Sequence, residues 1–346
     1  MAESVQYTPA ESILQFCNGY RVSQALYVAA QLQIAEHLAT GALSSVELAR
    51  ATNTHAPSLR RLMRTLSALG VCSEPEPDTF ALTPMGELLG NDNPGSLRAL
   101  VLFMTGPSRW QCWGDLLGSV RSGEPASERV LGTPLFDYYA AHPEESAIHD
   151  QALSAISSLQ SAAIVSAYDF TRFQCVVDVG GGTGQLLTEI LRACPALTGV
   201  LFDLPHVAGQ AQALLDRQGV TDRCRIASGS FFEAVPGGGD VYLLKHIIHA
   251  FDDSRASVIL SACRHVMGDE GTLLLCEHVL PERTQQGEAG IAFLLDLEML
   301  VMAPGGQERT EGEFGRLLST AGFRLERIVG TVCPASPVSI IQARPV

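Results

Sequence analysis

Apolar residues recur at helical intervals along the N-terminal part of the chain. Between residues 12 and 38 the apolar stripe is wider than one solvent-facing helix needs, which predicts a pair of helices that pack against a second subunit. Its members are Ile13, Leu14, Phe16, Tyr20, Val22, Ala25, Leu26, Ala29, Ala30, Leu32, Ile34 and Leu38. We expect a homodimer, because these side chains would leave a large exposed apolar patch on a monomer.

Two more helices and a hairpin are predicted after this stretch. Ser44 and Ser58 are plausible N-caps and Gly70 is a plausible C-cap, which gives the order helix, turn, helix, hairpin wing. Residues 106–170 look helical and irregular, and we expect them to link the modules and line a pocket. The predicted boundaries are 1–105 for a winged-helix module, 106–170 for the linker and 171–346 for a catalytic domain.

From Cys175 onward, short apolar strands alternate with helical segments. The strands are CVVDV, TGVLF, CRIAS, VYLLK and TLLLCEHV. Such alternation predicts a parallel sheet that is covered on both faces. The segments FRLERIVG and VSIIQAR predict a final hairpin that adds an antiparallel strand.

Composition narrows the functional class. The 346 residues are 46% apolar and 17% charged, and no uncharged apolar run approaches the roughly 18 residues that a membrane span needs. A formal net charge of −14 disfavours a nucleic-acid partner, since such binding depends on neutralising phosphates. With no signal peptide visible and nine scattered cysteines that read as reduced thiols, we expect a cytoplasmic protein.

A glycine-rich segment, CVVDVGGGTGQLLTEIL, carries the sharpest chemical signal. An apolar strand runs directly into Gly180, Gly182 and Gly184, which permit a tight turn and close approach of a ligand. Gln185 breaks the GxGxxG spacing of dinucleotide sites, so NAD or FAD is disfavoured. A tight turn with no ligand is the alternative explanation.

Two acids near this loop favour a positively charged adenosyl ligand. Asp178 lies at the strand end, where it would repel a pyrophosphate and attract a cation. Asp203 ends the next strand, where its carboxylate can accept hydrogen bonds from two ribose hydroxyls. The alternative is a helix N-cap before Pro205, which is compatible with the same role.

The order and spacing of six motifs resemble a known enzyme family. The motifs are VDVGGGTG, FDLPHV, GSFFEAVP, LLKHIIHAFDD, CEHVLP and APGGQERTEGEF, and nearly the whole chain resembles the plant and bacterial small-molecule O-methyltransferases. The resemblance implies a Rossmann-like class I α/β fold, a doubly wound seven-stranded sheet with a mainly α-helical winged-helix dimerisation domain. It also implies S-adenosylmethionine as cofactor and a hydroxylated aromatic or polyketide-like secondary metabolite as methyl acceptor.

The resemblance also identifies a candidate base. His249 matches the family's catalytic histidine once Lys245 is aligned, and His246 is the alternative. Removing a hydroxyl proton during methyl transfer is a suitable task for histidine. Glu277 and Glu308 are candidates for holding its imidazole, with a surface role being the more plausible alternative for Glu308. The reaction needs no metal.

The remaining candidate residues fall into two groups. For cofactor binding they are Asp178, Gly180, Gly182, Gly184, Asp203, Leu204, Ser230, Phe231, Phe232 and Lys245. For the acceptor they are Trp110, Phe136, Tyr139, His149, Leu153, Asp296, Met299 and Met302. Asp296 is equally compatible with a position on a helix surface.

Two departures from the family pattern leave alternatives open. Ser230 replaces the usual acid after Gly229, and Ala250 with Phe251 replaces the usual Asp-Trp pair. Relatives with this fold also hydroxylate, decarboxylate or catalyse pericyclic steps. A further alternative is a regulator that senses S-adenosylmethionine and binds DNA through arginines of its winged helix, namely Arg60, Arg61 and Arg64.

Overall fold

A computed structural model describes residues 7–93, 95–284, 290–333 and 338–346, with the side chain of Phe136 outside the described part. The chain divides into two compact units. The first contains Met1–Gln111 and Tyr139–Leu153, and the second contains Cys112–Tyr138 and Ser154–Val346. Domain boundaries at 105/106 and 170/171 stay a prediction.

The N-terminal elements follow the helix, turn, helix, hairpin order. They are α1 (Pro9–Gln31), α2 (Ile34–Leu38), β1 (Leu43–Ser44), α3 (Ser45–Ala51), α4 (Ala56–Ala68), β2 (Cys72–Glu76), β3 (Thr79–Leu82), α5 (Pro84–Glu87) and α6 (Arg98–Thr105). Strands β2 and β3 form the antiparallel wing, and β1 pairs with β3. Their core includes Leu48, Met63, Leu66 and Phe80.

Capping residues explain where these helices begin, with one correction to the sequence analysis. Ser44 caps α3 in a reciprocal capping box with Glu47. Ser58 is not an N-cap, because α4 already begins at Ala56 after His55. The next residue, Pro57, is favoured in a first helical turn because its missing N–H would have no partner there.

Five helices follow before the large sheet. They are α7 (Pro107–Gly114), α8 (Leu116–Ser122), α9 (Ala126–Leu131), α10 (Leu135–Ala141) and α11 (Pro143–Ala167). Within the second unit, Ser127 of α9 donates a hydrogen bond to the carbonyl of Met302.

The second unit is built on a seven-stranded sheet. Its elements are β4 (Cys175–Val179), α12 (Gln185–Ala193), β5 (Thr198–Asp203), α13 (Pro205–Ala208), α14 (Gln212–Arg217), β6 (Cys224–Ser228), β7 (Val241–Lys245), α15 (Asp253–Val266), β8 (Thr272–Glu277), β9 (Val279–Leu280), α16 (Ile291–Met302), β10 (Arg309–Thr310), α17 (Glu311–Thr320), β11 (Phe323–Gly330) and β12 (Ser339–Pro345). Short 3₁₀ turns cover Thr221–Arg223 and Ile248–Ala250, and β9 pairs with β10 in a separate two-stranded sheet.

Strand order in the large sheet is β11-β12-β8-β7-β4-β5-β6. Strands β4 to β8 are mutually parallel, whereas β12 runs antiparallel to β8 and β11 antiparallel to β12. Side chains of β4 alternate between two apolar cores, with Val177 and Val179 in one and Val176 in the other. The sheet is therefore covered on both faces, which confirms the predicted doubly wound α/β fold and terminal hairpin.

This topology brings several charged side chains to the carboxyl ends of the parallel strands. The chain runs from β4 to β5 and β6 on one side and to β7 and β8 on the other, which makes the carboxyl end of β4 a topological switch point. Asp178, Asp203, Lys245 and Glu277 lie at or next to the carboxyl ends of β4, β5, β7 and β8. Residues far apart in sequence are therefore brought to the same edge.

Candidate active site

The loop between β4 and α12 has a backbone shape that favours glycine. Gly180, Gly182 and Gly184 all have positive φ, at 71°, 61° and 87°. A Cβ on Gly180 would lie 2.5 Å from the side chain of Ile247. One on Gly181 would lie 2.4 Å from Leu201 and 2.7 Å from Asp178. The backbone at the end of β4 therefore stays bare and open to a ligand.

Asp178 is buried beneath this loop. It is 2% exposed, and its Oδ2 has no hydrogen-bond partner among the described residues. Burial raises the pKa of this carboxyl to about 7, with Lys245 opposing the shift and Asp203 adding to it. A buried carboxylate with an open lone pair fits a cationic ligand and is unsuited to a phosphate.

Asp203 joins the glycine loop to the end of β5. Its Oδ2 accepts a hydrogen bond from the Gly182 N–H at 2.8 Å, and its Oδ1 accepts one from the Leu204 N–H at 2.7 Å. A carboxylate offers about four lone-pair positions, so acceptor capacity is left for hydroxyls. Leu204 is the N-cap residue of α13 without a side-chain cap bond, and its side chain is exposed.

Three aromatic rings lie after β6 and before α15. Phe231, Phe232 and Phe251 contact one another edge to face, with centroids 5.0 to 6.1 Å apart. The guanidinium of Arg255 lies over the rings of Phe232 and Phe251. Ser230 accepts a hydrogen bond from the Phe232 N–H at 3.3 Å. The rings are half-buried, which suits the flat face of an adenine.

Lys245 ends β7 with its ammonium in the interior. Burial lowers its pKa, although Asp178 counters part of that shift. Its Nζ donates a hydrogen bond to Ser157 Oγ of α11 at 2.6 Å. Sequence reasoning missed Ser157, because nothing in the pattern of α11 distinguishes it from other small polar positions.

His249 lies in the 3₁₀ turn after β7, next to two buried acids. Its Nδ1 is 2.8 Å from Glu308 Oε1 and 3.9 Å from Glu277 Oε2. Burial by itself would lower the pKa of His249, but the two carboxylates outweigh it and raise that pKa above its ordinary value. Because a carboxylate can only accept here, Nδ1 carries the hydrogen and Nε2 keeps a free lone pair.

Glu277 and Glu308 have different hydrogen-bonding roles. Glu277 Oε1 accepts hydrogen bonds from the N–H groups of Ile247 and Ile248, and so anchors the turn. Glu308 makes the direct bond to His249, and it is 4% exposed. Our expectation that a surface role suits Glu308 better than Glu277 was wrong, because the segment after α16 folds this acid inward.

Two further residues support this pair: Arg309, which the sequence analysis did not assign, and Asp296, which it placed among the candidate acceptor residues. Arg309 is 1% exposed, and it donates hydrogen bonds to the carbonyls of Ile248 and Phe251 and to Asp253. It therefore clamps both ends of the turn that carries His249. Asp296 Oδ1 accepts a hydrogen bond from the Glu308 N–H at 2.9 Å. Asp296 therefore has a structural role and is more than a residue on a helix surface.

His246 has a different environment. Its backbone is left-handed, with φ at 54°, and its Nε2 is 2.9 Å from Gln160 Oε1. Burial and the neighbouring imidazole of His249 hold its pKa well below the ordinary value. His246, His249 and Glu277 each offer a ligand atom within 4.8 Å of the others, a geometry compatible with a metal ion.

The candidate acceptor residues are divided between the units. In the first, His149 contacts the rings of Phe103 and Tyr139 with centroids 5.3 and 4.7 Å away, while Trp110 and Leu153 are exposed. In the second unit, half-buried Met299 and buried Met302 lie on α16 beside Asp296. The side chain of Phe136 lies outside the described residues.

No helix in the described part of the chain combines the length and the apolar character that crossing a membrane requires. The nine cysteines, all within that part, are unpaired thiols, and Cys17 is the exposed one.

Two family models match the chain. The O-methyltransferase domain covers residues 113–324, and the O-methyltransferase dimerisation domain covers residues 14–92. Phenazine O-methyltransferase PhzM of Lysobacter antibioticus is 44% identical over 339 residues, covering 98% of this chain and 97% of that protein. An 8-amino-8-demethylriboflavin N,N-dimethyltransferase of Streptomyces davaonensis is 35% identical, covering 99% and 97%.

A solved structure supplies the ligand. CalO1, a methyltransferase in calicheamicin biosynthesis solved in its SAH-bound form, superposes with a TM-score of 0.85 at 34% identity, covering 99% of this chain and all of that one. SAH is S-adenosylhomocysteine, the product that S-adenosylmethionine leaves after losing its methyl group. The chain therefore belongs to the S-adenosylmethionine-dependent O-methyltransferase family that carries an N-terminal dimerisation domain.

Proposed function

We propose that this enzyme methylates a phenolic hydroxyl on a flat, fused-ring aromatic secondary metabolite, with His249 as the general base. The observation that carries the proposal is the 2.8 Å hydrogen bond between His249 Nδ1 and the buried Glu308. This bond leaves Nε2 as the atom that takes the proton. S-adenosylmethionine, when bound, supplies an electrophilic methyl group.

The cofactor assignment follows from the chemistry of the strand ends. Gly180, Gly182 and Gly184 supply bare backbone, and Asp203 has acceptor capacity for the ribose hydroxyls. Asp178 supplies negative charge for the cationic part of the ligand. We also assign Leu204, Ser230, Phe231, Phe232 and Lys245 to this site, with the phenylalanines next to the adenine.

The protein contributes to the reaction chiefly through proton transfer and positioning. As the acceptor oxygen forms its bond to the methyl carbon, His249 Nε2 takes the hydroxyl proton. The resulting imidazolium is stabilised by Glu308 and Glu277, which already raise the pKa of this side chain. General-base assistance of this kind contributes about 10²- to 10⁴-fold. Arg309 holds the turn that carries His249, and Asp296 holds the backbone of Glu308, so the two side chains stay aligned.

The acceptor class rests on the relatives and on the candidate residues together. The phenazine and riboflavin derivatives that two relatives are named for both contain three fused rings. The assigned residues Trp110, Phe136, Tyr139, His149, Leu153, Met299 and Met302 are mostly aromatic or sulfur-containing, as suits a flat apolar ring. Because one relative is named as an N,N-dimethyltransferase, an aromatic amine is the second candidate acceptor.

A homodimer completes the proposal. Helix α1 exposes Ile13, Leu14, Phe16 and Tyr20 by at least half of each side chain. Leu14, Phe16 and Tyr20 lie within the match to the dimerisation domain, and Ile13 directly precedes it. A second copy of the chain is the partner that this assignment implies.

Titration calorimetry with S-adenosylmethionine, S-adenosylhomocysteine and NAD tests the cofactor half of the proposal. We expect both adenosyl ligands to bind and NAD to give no heat. A panel of matched hydroxylated and amino-substituted phenazines, naphthoates and flavins, analysed by mass spectrometry, then tests the acceptor. Methylation at nitrogen alone would overturn the phenolic assignment, and binding of S-adenosylmethionine without methylation of any panel member would favour a non-methylating reaction.

A further inference from the structure

Two buried acceptor atoms face each other behind the proposed base. His246 Nδ1 and Glu277 Oε2 lie 3.6 Å apart, and neither has a hydrogen-bond partner among the described residues. His246 Nε2 faces the carbonyl oxygen of Gln160, so Nε2 carries the hydrogen and Nδ1 presents a bare lone pair. Two such acceptors without a hydrogen between them repel each other, and a cation between them would remove that cost.

The charge around this point also favours a cation. Glu277 has a fully buried side chain, as does Glu308, and Oε2 of Glu308 is likewise without a hydrogen-bond partner in the described part of the chain. Arg309 follows Glu308 directly in the sequence, but its guanidinium pairs with Asp253. The ammonium of Lys245 donates a hydrogen bond to Ser157. Each of the two acids therefore keeps one buried oxygen without a hydrogen-bond partner among the described residues.

We propose that His246, His249 and Glu277 form a zinc site, and that zinc bound there inhibits methyl transfer. Two imidazole nitrogens and one carboxylate with a fourth position open are a ligand set that suits Zn²⁺, whereas Mg²⁺ and Ca²⁺ prefer oxygen ligands. Bonds of about 2.0 to 2.1 Å place tetrahedral zinc ligands roughly 3.4 Å apart. Glu277 Oε2 is already 3.6 and 3.9 Å from the two Nδ1 atoms, so small side-chain movements suffice.

Inhibition follows from the tautomer of His249 and rests on the proposed role of that residue as base. Zinc on Nδ1 replaces the hydrogen that is now shared with Glu308, and the one hydrogen of the neutral ring must then lie on Nε2. Nε2 has no lone pair in that state and accepts no proton from the hydroxyl. The metal therefore disables the base without occupying the glycine loop or Asp203.

His246→Asn provides the discriminating test, since asparagine tolerates the left-handed backbone at this position. The full-length enzyme is stripped of metal with a chelator and titrated with Zn²⁺ by calorimetry. Zinc inhibition of methyl transfer is measured with the acceptor that the panel of aromatic compounds identifies. We expect one zinc site in the wild type, and an affinity at least about 100-fold weaker in the variant, since loss of a supporting residue alone costs up to that much. Zinc-free turnover is measured for each protein, so that inhibition by zinc is expressed relative to the same protein without the metal.

Controls separate this site from surface binding. His265→Asn removes an exposed histidine of α15 and Cys17→Ser removes the exposed thiol, and both variants should keep the zinc affinity. His246→Gln serves as a second variant if His246→Asn folds poorly. Equal zinc affinity in the His246 variants and the wild type would overturn the site, and full turnover of the zinc-loaded enzyme would overturn the inhibition. Neither result changes the cofactor titration, so the proposed function is tested separately.

Discussion

Asp203 offers a test of the cofactor site that needs no knowledge of the acceptor. Its carboxylate already holds the N–H groups of Gly182 and Leu204, and we assign its remaining lone pairs to the two ribose hydroxyls. Asp203→Asn removes the charge and one of the two oxygens while keeping the shape. A hydrogen bond to a charged group contributes about 1.5 to 3 kcal/mol, so losing one weakens binding about 10- to 150-fold.

Calorimetry on Asp203→Asn with S-adenosylmethionine and S-adenosylhomocysteine measures this effect. We expect the two Kd values to rise by similar factors, because both ligands carry the same ribose. Asp216→Asn is the matched control, since Asp216 also accepts hydrogen bonds, from Gln212 and Thr221, but lies exposed on α14. Its Kd values should stay within about twofold of the wild type, on the scale of ordinary surface changes.

Either of two results would refute the reasoning about Asp203. Kd values within about threefold of the wild type for both ligands, less than one charged hydrogen bond is worth, would mean that the ribose lies elsewhere. A loss confined to S-adenosylmethionine would mean that Asp203 responds to the sulfonium charge, which S-adenosylhomocysteine lacks.

Three further predictions follow from the site and the surface. His249→Gln should lower turnover by about 10²- to 10⁴-fold while S-adenosylmethionine affinity stays nearly the same; unchanged turnover in rapid-quench assays would contradict the base assignment. Burial raises the pKa of Asp178 to about 7, above its ordinary range, so the carboxyl group of the free protein is protonated below that pH. A cationic ligand binds the ionised form, so its binding releases the proton. Affinity for S-adenosylmethionine should therefore rise with pH up to about 7 and then level off, with proton release visible as buffer-dependent heat that Asp178→Asn abolishes. Phe16→Asp places a charge on the apolar face of α1 and should shift the light-scattering mass from a dimer toward the 37.0 kDa monomer; a wild-type mass of 37.0 kDa would remove the dimer itself.

The fold was largely predictable because its signals are local. Short apolar segments separated by helical ones predicted β4 to β8, which are five or six residues long in the structure. Helix starts were less predictable, as Ser58 shows, because several polar residues near one another can each cap a helix and the backbone selects one. The number of strands came from the family resemblance, and the order of the strands came from the structure, since spacing alone does not specify which strands pair.

The candidate site divides along the same line. The glycine loop, Asp178 and Asp203 were recognisable because each lies at a strand end, where parallel strands place ligand-binding groups. The sequence offered both Glu277 and Glu308 as partners of His249 and did not decide between them, because 59 residues separate His249 from Glu308 and only the folded chain brings the two side chains within 2.8 Å. Arg309 and Asp296 were equally hidden in their supporting roles, since both act through hydrogen bonds to backbone groups that have no sequence signature.

The sequence by itself determined the class of the fold and the cofactor loop, and its resemblance to a known family supplied the candidate base. Periodicity, glycine spacing and charge at strand ends are properties of neighbouring residues, so they can be recognised in the sequence without a structure. Tertiary structure decided which acid orients the base, which residues clamp its turn, and that two unpartnered acceptors face each other at 3.6 Å. Those features depend on distances between segments, and only the packing of the second unit sets such distances.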